Sequence, residues 1–84
     1  MLETGVWAEV MVGGEHLKLY SEDSGQGVHV SVYNVHTKKW IAPSETANDI
    51  EEGKDKAAAY AKAYLKHAAN ADLPPLTWKK ARSK

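Results

Sequence analysis

Two adjacent glycines inside an alternating stretch constrain this chain more than any other feature. Val6, Ala8, Val10 and Val12 fall on one side of an extended backbone, and Trp7, Glu9 and Met11 on the other. Gly13-Gly14 follows, and both residues accept the positive φ that a tight hairpin turn demands. The run Glu15–Ser21 then resumes the alternation, with Leu17 and Leu19 on one face and His16, Lys18 and Tyr20 on the other. Folding back on the glycines sets Val10 opposite Leu17, Ala8 opposite Leu19, and Glu9 opposite Lys18. The last is a complementary charge pair. A slip of one residue would turn every aliphatic side chain to the wrong face.

The same arithmetic extends along the chain. Glu22–Gly27 reads as a turn. Beyond it, Val28, Val30 and Val32 share one face, and His29, Ser31, Tyr33 and Val35 share the other. A tight turn predicts Leu19 opposite Val30 and Leu17 opposite Val32. A fourth strand, Lys39–Ala42, returns after His36-Thr37-Lys38, and Pro43 ends it. A tight turn sets Asn34 opposite Ile41 and Val35 opposite Trp40, but Thr-Lys is a poor two-residue turn and a longer loop is the alternative.

Residues 43–48 read as a connection into a helix. Asp49 is the predicted N-cap, with Glu52 three residues on in a capping-box pattern. The helix is expected from Ile50 to about Ala71, stopped by Asp72-Leu73-Pro74-Pro75. Its apolar stripe is Ile50, Ala57, Tyr60, Ala61, Tyr64, Leu65 and Ala68, with Gly53 at the edge, where a missing side chain permits close approach to the sheet. Leu76-Thr77-Trp78 reads as a short extra strand or an extended segment packed on the domain. The predicted fold class is therefore α+β: a four-stranded antiparallel meander, one long C-terminal helix packed on one sheet face, then a short extended segment. One domain spans residues 1–78, and residues 79–84 form a flexible basic tail.

The aliphatic side chains share the helix-facing side, so the opposite side is the informative one. It carries Trp7, Met11, His16, Lys18, Tyr20, His29, Tyr33, Val35 and Trp40, with Ser31 among them. Trp7, Tyr20 and His29 are expected in one row, and Met11, His16 and Tyr33 in another. Four large aromatics together exceed the roughly 300–600 Å² of the largest apolar patch on an ordinary monomer. Something should cover them: the C-terminal segment through Leu76 and Trp78, a second copy, another protein, or a single-stranded nucleic acid stacking its bases there. Tyr33 is expected near the centre of any such interface. In the nucleic-acid case Lys79, Lys80, Arg82 and Lys84 would meet phosphates.

Charge bears on that choice. Eleven basic and eleven acidic residues cancel over 84 residues, which argues against a dedicated duplex-DNA binder. One lysine faces five acidic residues in 1–36, whereas ten basic residues face six acidic ones in 37–84. The halves complement each other, which suits internal packing or head-to-tail association.

Catalytic and metal signatures are weak. There is no Cys, which excludes thiolate nucleophiles, thiolate metal sites and disulfides. His16, His29, His36 and His67 show no HxH, HxxxH or HExxH spacing, so no metal is expected. Ser24-Gly25-Gln26-Gly27 joins two antiparallel strands and opens no helix, so it is read as a turn and not a phosphate cradle. No cofactor motif and no nucleophile elbow is visible. Met1–Gly5 place no basic stretch ahead of an apolar core, so no signal peptide is expected. Without an apolar run long enough to span a bilayer, a cytoplasmic, non-membrane protein is expected. The expectation is a small non-enzymatic interaction module using the aromatic face for self-association or protein binding. The alternative is single-stranded nucleic-acid binding by stacking and the basic tail, and a small hydrolase or isomerase is a third class kept only for the four histidines.

Overall fold

The computed structural model describes residues 4–23, 25, 27–41 and 45–80. In chain order these form β1 (Thr4–Val12), β2 (Glu15–Asp23), β3 (Val28–Asn34), β4 (Lys39–Trp40), β5 (Glu45–Ala47), α1 (Ile50–Ala69) and β6 (Lys79–Lys80). The strands make one antiparallel sheet, ordered β4-β3-β2-β1-β6, with β5 also pairing along β3. The architecture is α+β with one helix on the sheet, as predicted, but the sheet has six strands and not four. The additions are two short strands: β5 lies within the expected connection, and β6 lies at the start of the expected tail.

The first hairpin has the predicted register throughout: Val10 pairs with Leu17, Ala8 with Leu19 and Glu9 with Lys18. Gly13 and Gly14 both hold positive φ (60° and 81°), as a two-residue turn with right-handed twist requires. The next two hairpins are each displaced by two residues. Leu19 pairs with Val32 and Leu17 with Asn34, where Val30 and Val32 were expected. Tyr33 pairs with Trp40 and Asn34 with Lys39, where Val35–Trp40 and Asn34–Ile41 were expected.

Both displacements have one physical cause. Each strand ends on an acidic or amide residue whose side chain captures the backbone two residues on. Asp23 Oδ1 accepts from Gly25 N–H at 2.8 Å, and Asn34 Oδ1 accepts from His36 N–H at 2.9 Å and Thr37 N–H at 3.1 Å. These local turns widen each loop to four residues. A two-residue shift preserves the pleat, so the aliphatic face survives. Ile41 N–H still bonds Val32 carbonyl beyond β4. Ala42 and Pro43, expected to finish the fourth strand, lie outside the described residues, as do Ser24 and Gln26 of the second loop.

The core is the aliphatic face and the helix upon it. Val10, Leu17, Leu19, Val30 and Val32 meet Ala57, Ala61 and Leu65, all buried. Asp49 caps α1 by accepting from Glu52 N–H at 2.8 Å, while the Glu52 carboxylate accepts from Asn48 N–H at 2.7 Å. The helix ends at Ala69, two residues before the expected stop, because Asn70 turns left-handed (φ 49°). Ala68, expected in the apolar stripe, is exposed. The chain then returns beside β1, from Ala69 and Ala71 near Gly13 to Lys79 and Lys80 paired with Trp7 and Val6. On the way Leu73, Leu76 and Trp78 pack against the core, and Pro74 and Pro75 between them have no N–H to donate to a ladder.

Gly53 sits where the helix crosses β2 and β3. A Cβ there would lie 2.1 Å from Ser21 Oγ and 2.9 Å from Val28 Cγ1. Ser21 is fully buried and donates to the Ile50 carbonyl at 3.0 Å, so it has no room to withdraw. Alanine gains about 1 kcal/mol of intrinsic helix preference over glycine. Overpacking of a tight core costs about 1–3 kcal/mol. The net cost is at most about 2 kcal/mol, so Gly53→Ala should lower the melting temperature, by about 4–8 °C for each kcal/mol lost. A rise on thermal denaturation would show that the crossing is looser than this geometry.

Candidate functional site

The pleat sends Trp7, Glu9 and Met11 from β1 away from the helix, with His16, Lys18, Tyr20 and Glu22 from β2 and His29, Ser31 and Tyr33 from β3. Trp40 joins them from β4 and Lys79 from β6. Val35 follows through its N–H bond to His16 carbonyl at 2.9 Å. All nine side chains expected on this face therefore share it, although the two-residue register shift rearranges their rows. Lys79, Trp7, Tyr20 and Ser31 form one row, so Ser31 takes the place expected for His29. Glu9, Lys18, Tyr33 and Trp40 form the next. Met11 and His16 lie beyond, with Val35 in the place expected for Tyr33. Glu22 and His29 pair at the other end of the face.

An aromatic cluster occupies the middle. Trp40 packs on Tyr33 with ring centroids 4.8 Å apart and reaches toward Tyr20 at 6.3 Å. Partial burial in this cluster pushes the Tyr20 hydroxyl above its ordinary value, with nearby Glu22 and Glu9 adding to the effect. Trp40 is nevertheless 61% exposed and Met11 72% exposed. Trp7 lies between two cations, with Lys79 Nζ 5.2 Å and Lys18 Nζ 5.8 Å from its ring centroid.

The C-terminal segment does not cover this face. Leu76 and Trp78 pack against the helix-side core, and Lys54 lies over the Trp78 ring at 5.8 Å. The first of the four expected covers is therefore corrected: Leu76 and Trp78 seal the flank of the core and do not lie on the aromatics. Of the basic residues assigned to the tail, Lys79 and Lys80 are strand residues. The pleat directs Lys79 to the aromatic face and Lys80 to the opposite one. Arg82 and Lys84 lie outside the described residues.

Glu9 carries a role that alternation alone did not reveal. His16 hydrogen-bonds its carboxylate, and His36 meets His16 edge-on with centroids 5.9 Å apart. Glu9 and His16 come from neighbouring strands and adjacent rows, which was the legible signal. The His16 bond holds the Glu9 carboxyl below its ordinary range, and the charges of His16, Lys18 and Lys79 act in the same direction. The centre of the face thus holds a carboxylate among cations, and not a bare positive patch. Among the described residues no group of three His, Asp or Glu could hold a metal ion. A groove along α1, lined by Ala59, Lys62, Ala63, Lys66, Ala71 and Asp72, lies on the outer side of the helix and apart from this face. Among the described residues no helix is long and apolar enough to cross a membrane.

The Glu9 contact fixes a sign for acid stability. The folded carboxyl ionises below the unfolded one, so a falling pH protonates the unfolded chain first and draws the equilibrium toward it. The contribution of Glu9 is present above the ordinary carboxylate pKa and fades below it. Glu9→Gln should lower the melting temperature at pH 7. It should also flatten its decline between roughly pH 5 and pH 3. Parallel acid limbs for the variant and the parent would show that the His16 contact contributes nothing in solution.

Comparison with known proteins gives no match: no family model, no curated protein and no solved structure matches the chain.

Proposed function

We propose that this chain is a small interaction module that works by association through the outer face of its sheet, not by chemistry. One observation carries the reading. Tyr20, Tyr33 and Trp40 form a preassembled aromatic cluster, and both the helix and the C-terminal segment lie on the other side of the sheet. Around the cluster stand Glu9, Glu22, Lys18, Lys79, His16 and His29, so an aromatic centre is ringed by polar groups. That is the anatomy of a protein–protein interface. The aromatic rings are already packed on one another, which reduces the side-chain ordering cost of docking. The partner is a second copy or another protein, and the site is assigned no cofactor.

The bracketing of Trp7 by Lys18 and Lys79 favours a second reading, single-stranded nucleic acid stacked on the aromatics. Glu9 stands beside both lysines and Glu22 lies at the end of the same face, so a phosphate chain would meet carboxylates as well as cations. This makes protein the better occupant.

The test has two arms. Trp40→Ala and Tyr33→Ala should each weaken self-association at least about tenfold by light scattering, with circular dichroism unchanged, because aromatic anchors dominate interface energetics. A photo-cross-linking residue at Val35 should give protein adducts in cells that vanish with Trp40→Ala, whereas one at Ala59 on the helix should not. A mixed oligonucleotide that binds at low salt and is released as salt rises would transfer the face to nucleic acid. No Val35 adduct, together with unchanged mass and melting temperature for Tyr33→Ala, would leave the aromatics merely exposed and end the reading.

A further inference from the structure

The arrangement of charge and size on the outer face points to its occupant. Resting on the outer-face reading above, we propose that the partner is a second copy of this chain. The two sheets stack face to face about a two-fold axis that runs across the strands, between the Trp7–Tyr20–Ser31 row and the Glu9–Lys18–Tyr33 row.

The strand order makes β2 the middle of the face. Along β2 the outward residues are Glu22, Tyr20, Lys18 and His16, in that order from one end to the other. The proposed axis exchanges the two central rows and the two outer rows. Glu22 then faces His16 of the second copy, and Tyr20 faces its Lys18, with each contact made twice by symmetry. One is a carboxylate–imidazole pair and the other a cation over an aromatic ring. On β1 the exchange sets Gly5, which has no side chain, under Met11, the most exposed large apolar residue described. On β3 it sets Ser31 under Tyr33. The same exchange sets Trp7 against Glu9 and His29 against Val35, so small meets large at Gly5–Met11 and Ser31–Tyr33.

The alternative in-plane axis, running along β2, places Lys18 over Lys18 and Glu22 over Glu22. Like charges facing one another disfavour it. The proposed axis leaves the two β2 strands antiparallel and the sheets nearly aligned, as in stacked sheets about 10 Å apart. An inter-sheet rotation of about 30° displaces the ends of β2 by roughly 5 Å, a gap that Glu and His side chains span. The middle strand is displaced least, so the pairing is strongest along β2.

Charge variants test the axis itself. Wild-type protein should show a concentration-dependent mass approaching twice the 9.2 kDa of one chain by light scattering. Glu22→Lys sets lysine against His16, and His16→Glu sets glutamate against Glu22, so each variant alone should dissociate at least about tenfold more readily. Mixing the two variants should restore the dimer, because one contact becomes Lys–Glu and the other remains the native Glu–His. Circular dichroism of each variant alone shows whether it folds. If His16→Glu misfolds beside Glu9, His16→Gln replaces it, paired with Glu22→Gln as its neutral counterpart, and both should weaken the dimer.

A mixture no heavier than its components overturns the two-fold arrangement. If Trp40→Ala still dissociates the dimer in that case, the outer-face reading stands without it. A dimer indifferent to both Trp40→Ala and the charge variants uses another surface and overturns both. A single-chain mass at every concentration overturns the self-pairing, and the Val35 cross-link then decides the outer-face reading alone.

Discussion

One helix covers one side of a sheet, and that constraint organises everything else in this molecule. Among the described residues a single helix of 20 residues, Ile50–Ala69, is set against the sheet. Its contact stripe is narrow, with Gly53, Ala57, Ala61 and Leu65 as the buried positions. Small residues bring the helix close, and the sheet supplies most of the apolar volume through Leu17, Leu19, Val28, Val30 and Val32. Tyr60 and Tyr64 flank the stripe and carry their hydroxyls to Glu45 and Glu15, so neither phenol is left unpaired. A domain this small has little surplus stability, which makes the Gly53 crossing and the sealing of the β1 flank by Leu76 and Trp78 important.

Among the described residues the same constraint leaves the second sheet face without an internal partner, and its composition answers to that. A solvated sheet face is ordinarily polar. Here Trp7, Tyr20, Tyr33 and Trp40 occupy adjoining positions with charged groups interleaved. Lys18 and Lys79 lie over Trp7, and His16 binds Glu9, so these charges already have neighbours before any partner arrives, whereas Glu22 is exposed. A face organised in this way gives up little ordering entropy on docking and retains polar groups that can specify orientation.

The sequence carried the face but not the rows. Alternation has a period of two, so it places a residue on a side of the sheet and is blind to a shift of two. Gly13-Gly14 removed that ambiguity for the first hairpin because two positive-φ residues leave one turn geometry. The later loops offered no such pair. Their lengths depend on Asp23 and Asn34 turning back on the chain, and Asp or Asn at a strand end was the available signal. The helix and its cap were legible because Asp49 and Glu52 stand at the spacing the motif requires. β5 and β6 were not, since strands of three and two residues carry no periodicity; only pairing to a strand already in place defines them. The site suffered the same limit. All nine residues assigned to the face are there, whereas the contribution of Lys79 depends on a two-residue strand that pairs with Trp7.

Asn34 connects the two sides of the molecule. It is buried beneath α1, where its amide donates to Tyr64 Oη at 2.8 Å and Glu15 Oε1 at 3.2 Å. Tyr64 also donates to Glu15 at 3.1 Å, which closes a small half-buried polar cluster between helix and hairpin. The remaining oxygen of Asn34 holds the N–H groups of His36 and Thr37, and its carbonyl accepts from Lys38 N–H at 2.8 Å. Those bonds set a four-residue loop in which Lys38 alone takes a positive φ (60°). The loop length determines that Trp40 pairs with Tyr33 and not with Val35. A polar side chain on the helix side therefore selects which aromatic rings meet on the open side. Buried hydrogen-bonded groups of this kind specify arrangement more than they add stability. An aliphatic residue at position 34 would fill the volume, but it would release the loop that brings Trp40 onto Tyr33.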